Sequence, residues 1–219
     1  MAVPVVTIDG PGGAGKGTVA SAIANALGWH LLDSGALYRI IAVAGVADGI
    51  ALDDAQALVE MSEGLDIVFD DGQVRVNGAN LTDAIRTEEA GNNASQVAAL
   101  SPVRDAIFAL QQGFRRAPGL VADGRDMGTV VFTDAPVKIF LDASAEARAE
   151  RRYNQLKNNG LGVNLRALLE QIQERDARDR ERVVAPLKPA DDALIIDSTE
   201  MTIDEVVATV MTQISSKVE

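Results

Sequence analysis

Cysteine is missing from all 219 residues, which excludes disulfides and thiolate metal sites and fits a reducing cytoplasm. Long apolar runs are missing too, since none approaches the roughly 20 residues needed to cross a bilayer. The chain enters a strand-like run, VPVVTID, almost at once, without the charged segment or cleavage region of a secretory signal. Positive charge is in short supply, 20 Lys and Arg against 32 Asp and Glu, and the net charge of -12 opposes broad attraction to nucleic acid or acidic membrane. Neither is expected as a partner.

What is present is ordinary in bulk and uneven in detail. With 47% hydrophobic and 24% charged residues, the composition is that of one globular domain carrying small insertions. Short apolar runs at Val3 to Ile8, His30 to Leu32, Leu120 to Ala122, Val137 to Leu141 and Leu194 to Ile196 alternate with helix-like stretches. That alternation predicts an α/β fold with a parallel sheet covered by helices. Val19, Ile23 and Leu27 predict a helix over Lys16 to Leu27 ending before Gly28, and Thr202 with Glu205 predicts a capping box opening a C-terminal helix. Ser101 and Pro102 read as the start of a helix carrying Arg104. Between about 62 and 98, a DG and an NG among β-favouring runs predict small antiparallel pairings, read as an insertion.

The strand, turn and helix around TIDGPGGAGKGT form the context of a phosphate-cradling loop. Gly10, Pro11, Gly12, Gly13, Ala14 and Gly15 make the turn, and backbone N–H groups from Gly12 to Thr18 surround phosphate at the positive end of a helix. Lys16 adds a full charge. The residue after the lysine, normally a hydroxyl that helps hold magnesium, is Gly17, and Thr18 comes one place late. Thr18 is one candidate for the metal; retention by nucleotide phosphates and water is the other. Asp123 and Asp142 each end an apolar run; Asp123, which DGRD places at the cleft, is the second metal candidate, with capping a turn as its other reading.

Fifteen of the 20 basic residues are arginines, whose planar fork suits phosphate. Arg125 and Asp126 follow a strand's carboxyl end, where open parallel sheets place ligands. Arg39 follows the second strand. Arg175, Arg178 and Arg182 fall at helical i, i+3, i+7 spacing with Asp179 on the same stripe, a pattern that a solvated, ion-paired face would also produce. Arg151 and Arg152 open an irregular stretch, LKNNGLGVN, that could approach donor phosphates or be a plain turn.

The GKGT ending is familiar from nucleoside monophosphate kinases. LLDSGALYR, IRTEEAGNNASQVAAL, ADGRDMGTVVF and RDARDRER, in that order along nearly the whole chain, resemble the bacterial cytidylate kinases. The resemblance implies a P-loop kinase with a five-stranded parallel sheet, the 62–98 insertion over the acceptor nucleotide and a lid spanning about 151–164, both moving on binding. It implies ATP as donor, with Mg2+, and CMP or dCMP as acceptor. It assigns phosphate contacts to Ser34, Arg39 and Arg125, cytosine recognition to Ser95, Arg104 and Asp126, and sugar or phosphate contacts to Arg175, Asp179 and Arg182. Lys16, Arg125, Arg175 and Arg182 are then the catalytic set, and a monomer is expected.

Phosphoryl transfer to a phosphate that is already largely dianionic needs no general base, so the lone His30 is expected to be structural. Two other readings stay open. Another small P-loop kinase could act on UMP, AMP or a metabolite hydroxyl, for which Asp33 is an available base. A nucleotide-dependent switch could use the same loop, but neither an NKxD-like motif nor a water-positioning glutamine accompanies it.

Overall fold

Burial on both faces turns the five apolar runs into strands of one sheet, as expected for a parallel sheet sandwiched between helices. The computed structural model describes residues 3–70, 72–158, 160 and 162–218. Along the chain lie β1 (Val5–Asp9), α1 (Lys16–Leu27), β2 (His30–Asp33), α2 (Ser34–Ala47), α3 (Ala55–Glu63), β3 (Ile67–Asp70), β4 (Gln73–Val76), β5 (Ala79–Asn80), α4 (Glu88–Val97), α5 (Ser101–Gly113), β6 (Leu120–Gly124), β7 (Val137–Asp142), α6 (Ala145–Asn158), α7 (Leu165–Glu181), β8 (Leu194–Asp197) and α8 (Ile203–Lys217). A 3-10 turn at Ala84–Arg86 and a π-helical turn at Met127–Val131 complete the set. The chain divides into two compact units, one made of residues up to Asp33 and from Gln112 onward, the other Ser34–Gln111.

The first unit holds the parallel sheet, in the order β2-β6-β1-β7-β8. All five expected strands are present, with ends shifted by one or two residues. Central β1 is wholly buried, in register with β6 (Ile8 opposite Asp123, Asp9 opposite Gly124) and with β7 (Asp9 opposite Phe140). Because every strand runs the same way, Asp9, Asp33, Gly124, Asp142 and Asp197 finish along one edge of the sheet. Ligands of open parallel sheets collect there.

Helix α1 runs over the expected residues. Val19 and Ile23 bury one face against Val6, Ile8, Val121 and Ile139, and Gly28 ends the helix in the left-handed conformation, its N–H donating to Ala24 and Asn25 carbonyls. Val206, Val210 and Ile214 of α8 join the same cluster, and the predicted capping box at Thr202 and Glu205 is formed.

The second unit contains α2 to α5 up to Gln111 and an antiparallel sheet of β3, β4 and β5. Asn77 and Gly78 both have positive φ and join β4 to β5 as a tight hairpin, so the NG signal was correctly read. Val74, Val76 and Ile85 pack with Ala36 and Ile40 of α2. Asp71 of the 62–98 segment, and Asn159 and Leu161 of the 151–164 segment, lie outside the described residues. Among the described residues no helix is long and apolar enough to cross a membrane.

Ile23 is fully buried between α1 and the sheet. Ile23→Ala is expected to lower unfolding free energy by about 2–5 kcal/mol, read from the urea midpoint at constant slope.

Candidate active site

The loop owes its shape to three glycines that other residues could not replace. Gly13 and Gly15 have φ of 81° and 92°, and Gly10, at 151°, would carry a Cβ only 2.0 Å from the Leu141 carbonyl oxygen. Lys16, the first residue of α1, is buried and folds back so that its ammonium donates to the Pro11 carbonyl at 2.9 Å. The same ammonium lies 3.8 Å from Asp123 at the end of β6. Asp123 also faces Gly17, where a Cβ would stand 3.4 Å from Oδ2, whereas Thr18 is exposed.

Cations crowd this loop. A Cβ on Gly12 would lie 3.4 Å from Arg125 Nη2 and 3.5 Å from Arg175 Nη1, so both guanidinium groups sit over the loop's second glycine. Burial, and then Arg125, pull the Lys16 ammonium down to about 8; Arg175 adds to the fall, and Asp123 and Asp33 oppose it. Burial also works against the Arg125 charge, but Asp179 and Asp123 outweigh it and hold that guanidinium above its ordinary range.

Two ion pairs join the DGRD turn to the end of α7. Arg125 Nε donates to Asp179 at 3.1 Å, and Arg182 Nη2 approaches Asp126 at 3.9 Å. One expectation needs correcting here. Arg182 does not continue a helical stripe with Arg175 and Arg178, because α7 stops at Glu181 and Arg182 has extended backbone (φ -59°, ψ 139°). It reaches Asp126 from beyond the helix end, its Nε donating to the Ala185 carbonyl at 2.6 Å.

Arg151, expected near donor phosphates, donates to the Ser198 and Thr199 carbonyls, and Arg152 to Gln155. His30 is exposed, its Nε2 3.0 Å from the Ala117 carbonyl oxygen. In the second unit, Ser34, Ser95 and Arg104 are buried. Gln111 donates to Ser34 Oγ at 2.8 Å, Arg39 donates to the Ile85 carbonyl at 2.7 Å, and Arg104 donates to the Ala98 carbonyl with its guanidinium 5.7 Å from the Tyr38 ring centre.

Sequence reasoning missed Asp9, Arg148, Asp176 and Gln111. Buried Arg148 donates to the Gly12 carbonyl at 3.0 Å and makes a bidentate pair with Asp176 of α7, tying the loop to that helix. Nothing in ARAERR separates Arg148 from its neighbours. Asp9 did leave a trace, as the one ionisable residue in the strand-like run VVTID. Its two oxygens accept from the Met127 and Gly128 N–H groups, both at 2.8 Å, while burial pushes its carboxyl up to about 7 against the lowering effect of those bonds.

A left-handed glycine loop between a buried parallel strand and a helix, with its lysine and two arginines gathered on it, defines a P-loop nucleotide-binding protein of the α/β class. A family model described as cytidylate kinase matches residues 6–216. Relatives include a cytidylate kinase of Aeromonas salmonicida, 59% identical over 95% of this chain and 92% of that protein, and one of Pseudomonas aeruginosa PAO1, 60% identical over 96% and 94%. The chain belongs to the cytidylate kinase family. A solved structure of an uncharacterized protein from Eubacterium ventriosum, 12% identical over 97% of this chain and 99% of that one, agrees in fold with a TM-score of 0.51.

Phosphates brought beside Lys16 raise its lowered pKa again. Nucleotide binding at pH 8 should therefore take up protons and weaken as the pH rises beyond about 8, where the free amine is neutral. Calorimetry in buffers of different ionisation heat reads that uptake, and proton release would contradict it.

Proposed function

We propose that the chain transfers the terminal phosphoryl group of ATP to CMP or dCMP, giving ADP and CDP or dCDP. The observation that carries this reading is the gathering of Lys16, Arg125 and Arg175 at Gly12, in a chain of this family. Phosphoryl transfer leaves little covalent work for protein, so positioning and charge neutralisation dominate. Lys16 and the amides from Gly12 to Thr18 hold the donor phosphates; Arg125, Arg175 and Arg182 neutralise the charge that spreads as the phosphoryl group moves. Arg151 and Arg152 are donor contacts after release from their present partners. The acceptor phosphate is a dianion at neutral pH, its second pKa being about 6, and attacks without a base.

For the acceptor, Ser34 and Arg39 hold phosphate, Ser95, Arg104 and Asp126 read cytosine, and Asp179 takes a ribose hydroxyl. Cytosine offers an amino donor at N4, which a carboxylate accepts. Magnesium fits the oxygen donors available. Asp123 lies against Gly17 and Thr18 is exposed, yet no group of three or more ligating side chains occurs among the described residues. Asp123 and Thr18 would hold a cation that arrives with the nucleotide phosphates, where it would neutralise the developing charge. The 62–98 segment serves as the acceptor-binding insertion and 151–164 as the lid. The enzyme acts as a cytoplasmic monomer on free nucleotides rather than nucleic acid.

Coupled turnover across CMP, dCMP, UMP, AMP and shikimate tests the assignment. CMP and dCMP should lead, and preference for any other acceptor defeats it. Lys16→Ala should lower kcat by on the order of a hundredfold or more. Asp126→Ala should chiefly erase the preference for CMP over UMP, and full retention of that preference would remove Asp126 from base reading.

A further inference from the structure

Glutamine is mostly a surface residue, and a buried one needs polar partners for its amide. Gln111 of α5 is 2% exposed, and its Nε2 donates to Ser34 Oγ at 2.8 Å. Ser34, the first residue of α2, is also 2% exposed. A hydroxyl has one hydrogen to give and two lone pairs with which to accept. Gln111 engages a lone pair and leaves the hydrogen, which is donated to no other group among the described residues.

The placement of this pair gives it a direction. Arg104, Ile107 and Gln111 are buried at i, i+3, i+7 spacing on α5 and share one face, and Ser34 and Tyr38 share a face of α2 at i, i+4. The two faces meet in two rungs, Gln111 to Ser34 and the Arg104 guanidinium 5.7 Å from the Tyr38 ring centre. At about 1.5 Å of rise per residue, Arg104 and Gln111 stand roughly 10 Å apart along the helix. With Arg104 reading cytosine and Ser34 holding phosphate, α5 carries a residue for each end of the acceptor.

We infer that Gln111 is a positioning residue for the acceptor phosphate: by donating to Ser34 Oγ, it turns the Ser34 O–H toward that phosphate as a hydrogen-bond donor. A phosphate dianion only accepts, so a serine beside it helps only with its hydrogen pointed the right way. The neutral amide sets that orientation without placing a further charge in the site. A side chain at 111 with no donor lets the hydroxyl rotate away. Gln111 itself acts through Ser34 and does not touch the nucleotide.

This inference rests on the reading of Ser34 as an acceptor-phosphate contact, and the experiment separates the two. Ser34→Ala, Gln111→Met, Gln111→Asn and the double variant Ser34→Ala/Gln111→Met are compared by KM for CMP, by KM for ATP, and by the inhibition constant of cytidine against CMP. Gln111→Met should raise KM for CMP about three- to tenfold, the loss of one modest hydrogen bond. KM for ATP and the cytidine constant should change less than about twofold, because cytidine has no phosphate to sense the Ser34 hydroxyl. Gln111→Asn keeps the amide but sets it one methylene farther back; it should match Gln111→Met and provides the readout if Gln111→Met does not fold. The double variant should have the KM for CMP of Ser34→Ala alone, because both changes act through one hydroxyl.

If Ser34→Ala raises KM for CMP while both Gln111 variants keep the parent value, the inference is overturned and the phosphate reading of Ser34 stands. Equal weakening of CMP and cytidine by Gln111→Met would overturn it as well, since that is the mark of lost packing, and so would independent, multiplying losses in the double variant. If Ser34→Ala itself leaves KM for CMP unchanged, the phosphate reading of Ser34 fails, and the role of Gln111 fails with it.

Discussion

Like charges held close together are the constraint on which the site depends. Lys16, Arg125 and Arg175 gather at Gly12 with little water to screen them. Left alone, such a cluster would repel itself and resist burial. Carboxylates make it tolerable: Asp123 beside Lys16 and Asp179 beside Arg125. They also set the terms on which phosphate enters, since a polyphosphate must displace or share these partners. The lowered Lys16 pKa records the strain of that standing arrangement.

The same constraint reconciles a strongly acidic chain with an anionic ligand. A net charge of -12 describes the whole surface, whereas binding is governed by fixed charges within a few ångströms in a partly dry site. The strand ends along one sheet edge carry aspartates, and the arginines come from α6, α7 and the DGRD turn to meet them. Arg148 gives the scheme rigidity. By accepting a hydrogen bond from Arg148, the Gly12 carbonyl is turned one way, and the trans geometry of that peptide turns the Gly13 N–H the other way.

Much of this was legible in the sequence because it depends on local rules. The five strands, α1 with its glycine stop, the capping box at Thr202 and the Asn77–Gly78 hairpin follow from periodicity and from residues with special backbone preferences. The loop was legible because its glycines and lysine are adjacent. What could not be read were partnerships across long separations. Asp9 with Met127 and Gly128, Arg148 with Gly12 and Asp176, and Gln111 with Ser34 each join ordinary residues whose significance lies only in their partner. Helical spacing puts Arg182 on one stripe with Arg175 and Arg178, and it cannot foresee that α7 ends at Glu181.

The strand order has a consequence for how the chain is made. β1 and β2 leave the ribosome early, but they are not neighbours: β6 lies between them, and it follows only after residue 119. At roughly 5–20 residues per second, synthesis keeps both early strands waiting several seconds or longer for the strand that joins them. Meanwhile Val5, Val6 and Ile8 have no sheet to enter. β1 and β2 therefore need shelter over that interval, which ends when β6 arrives.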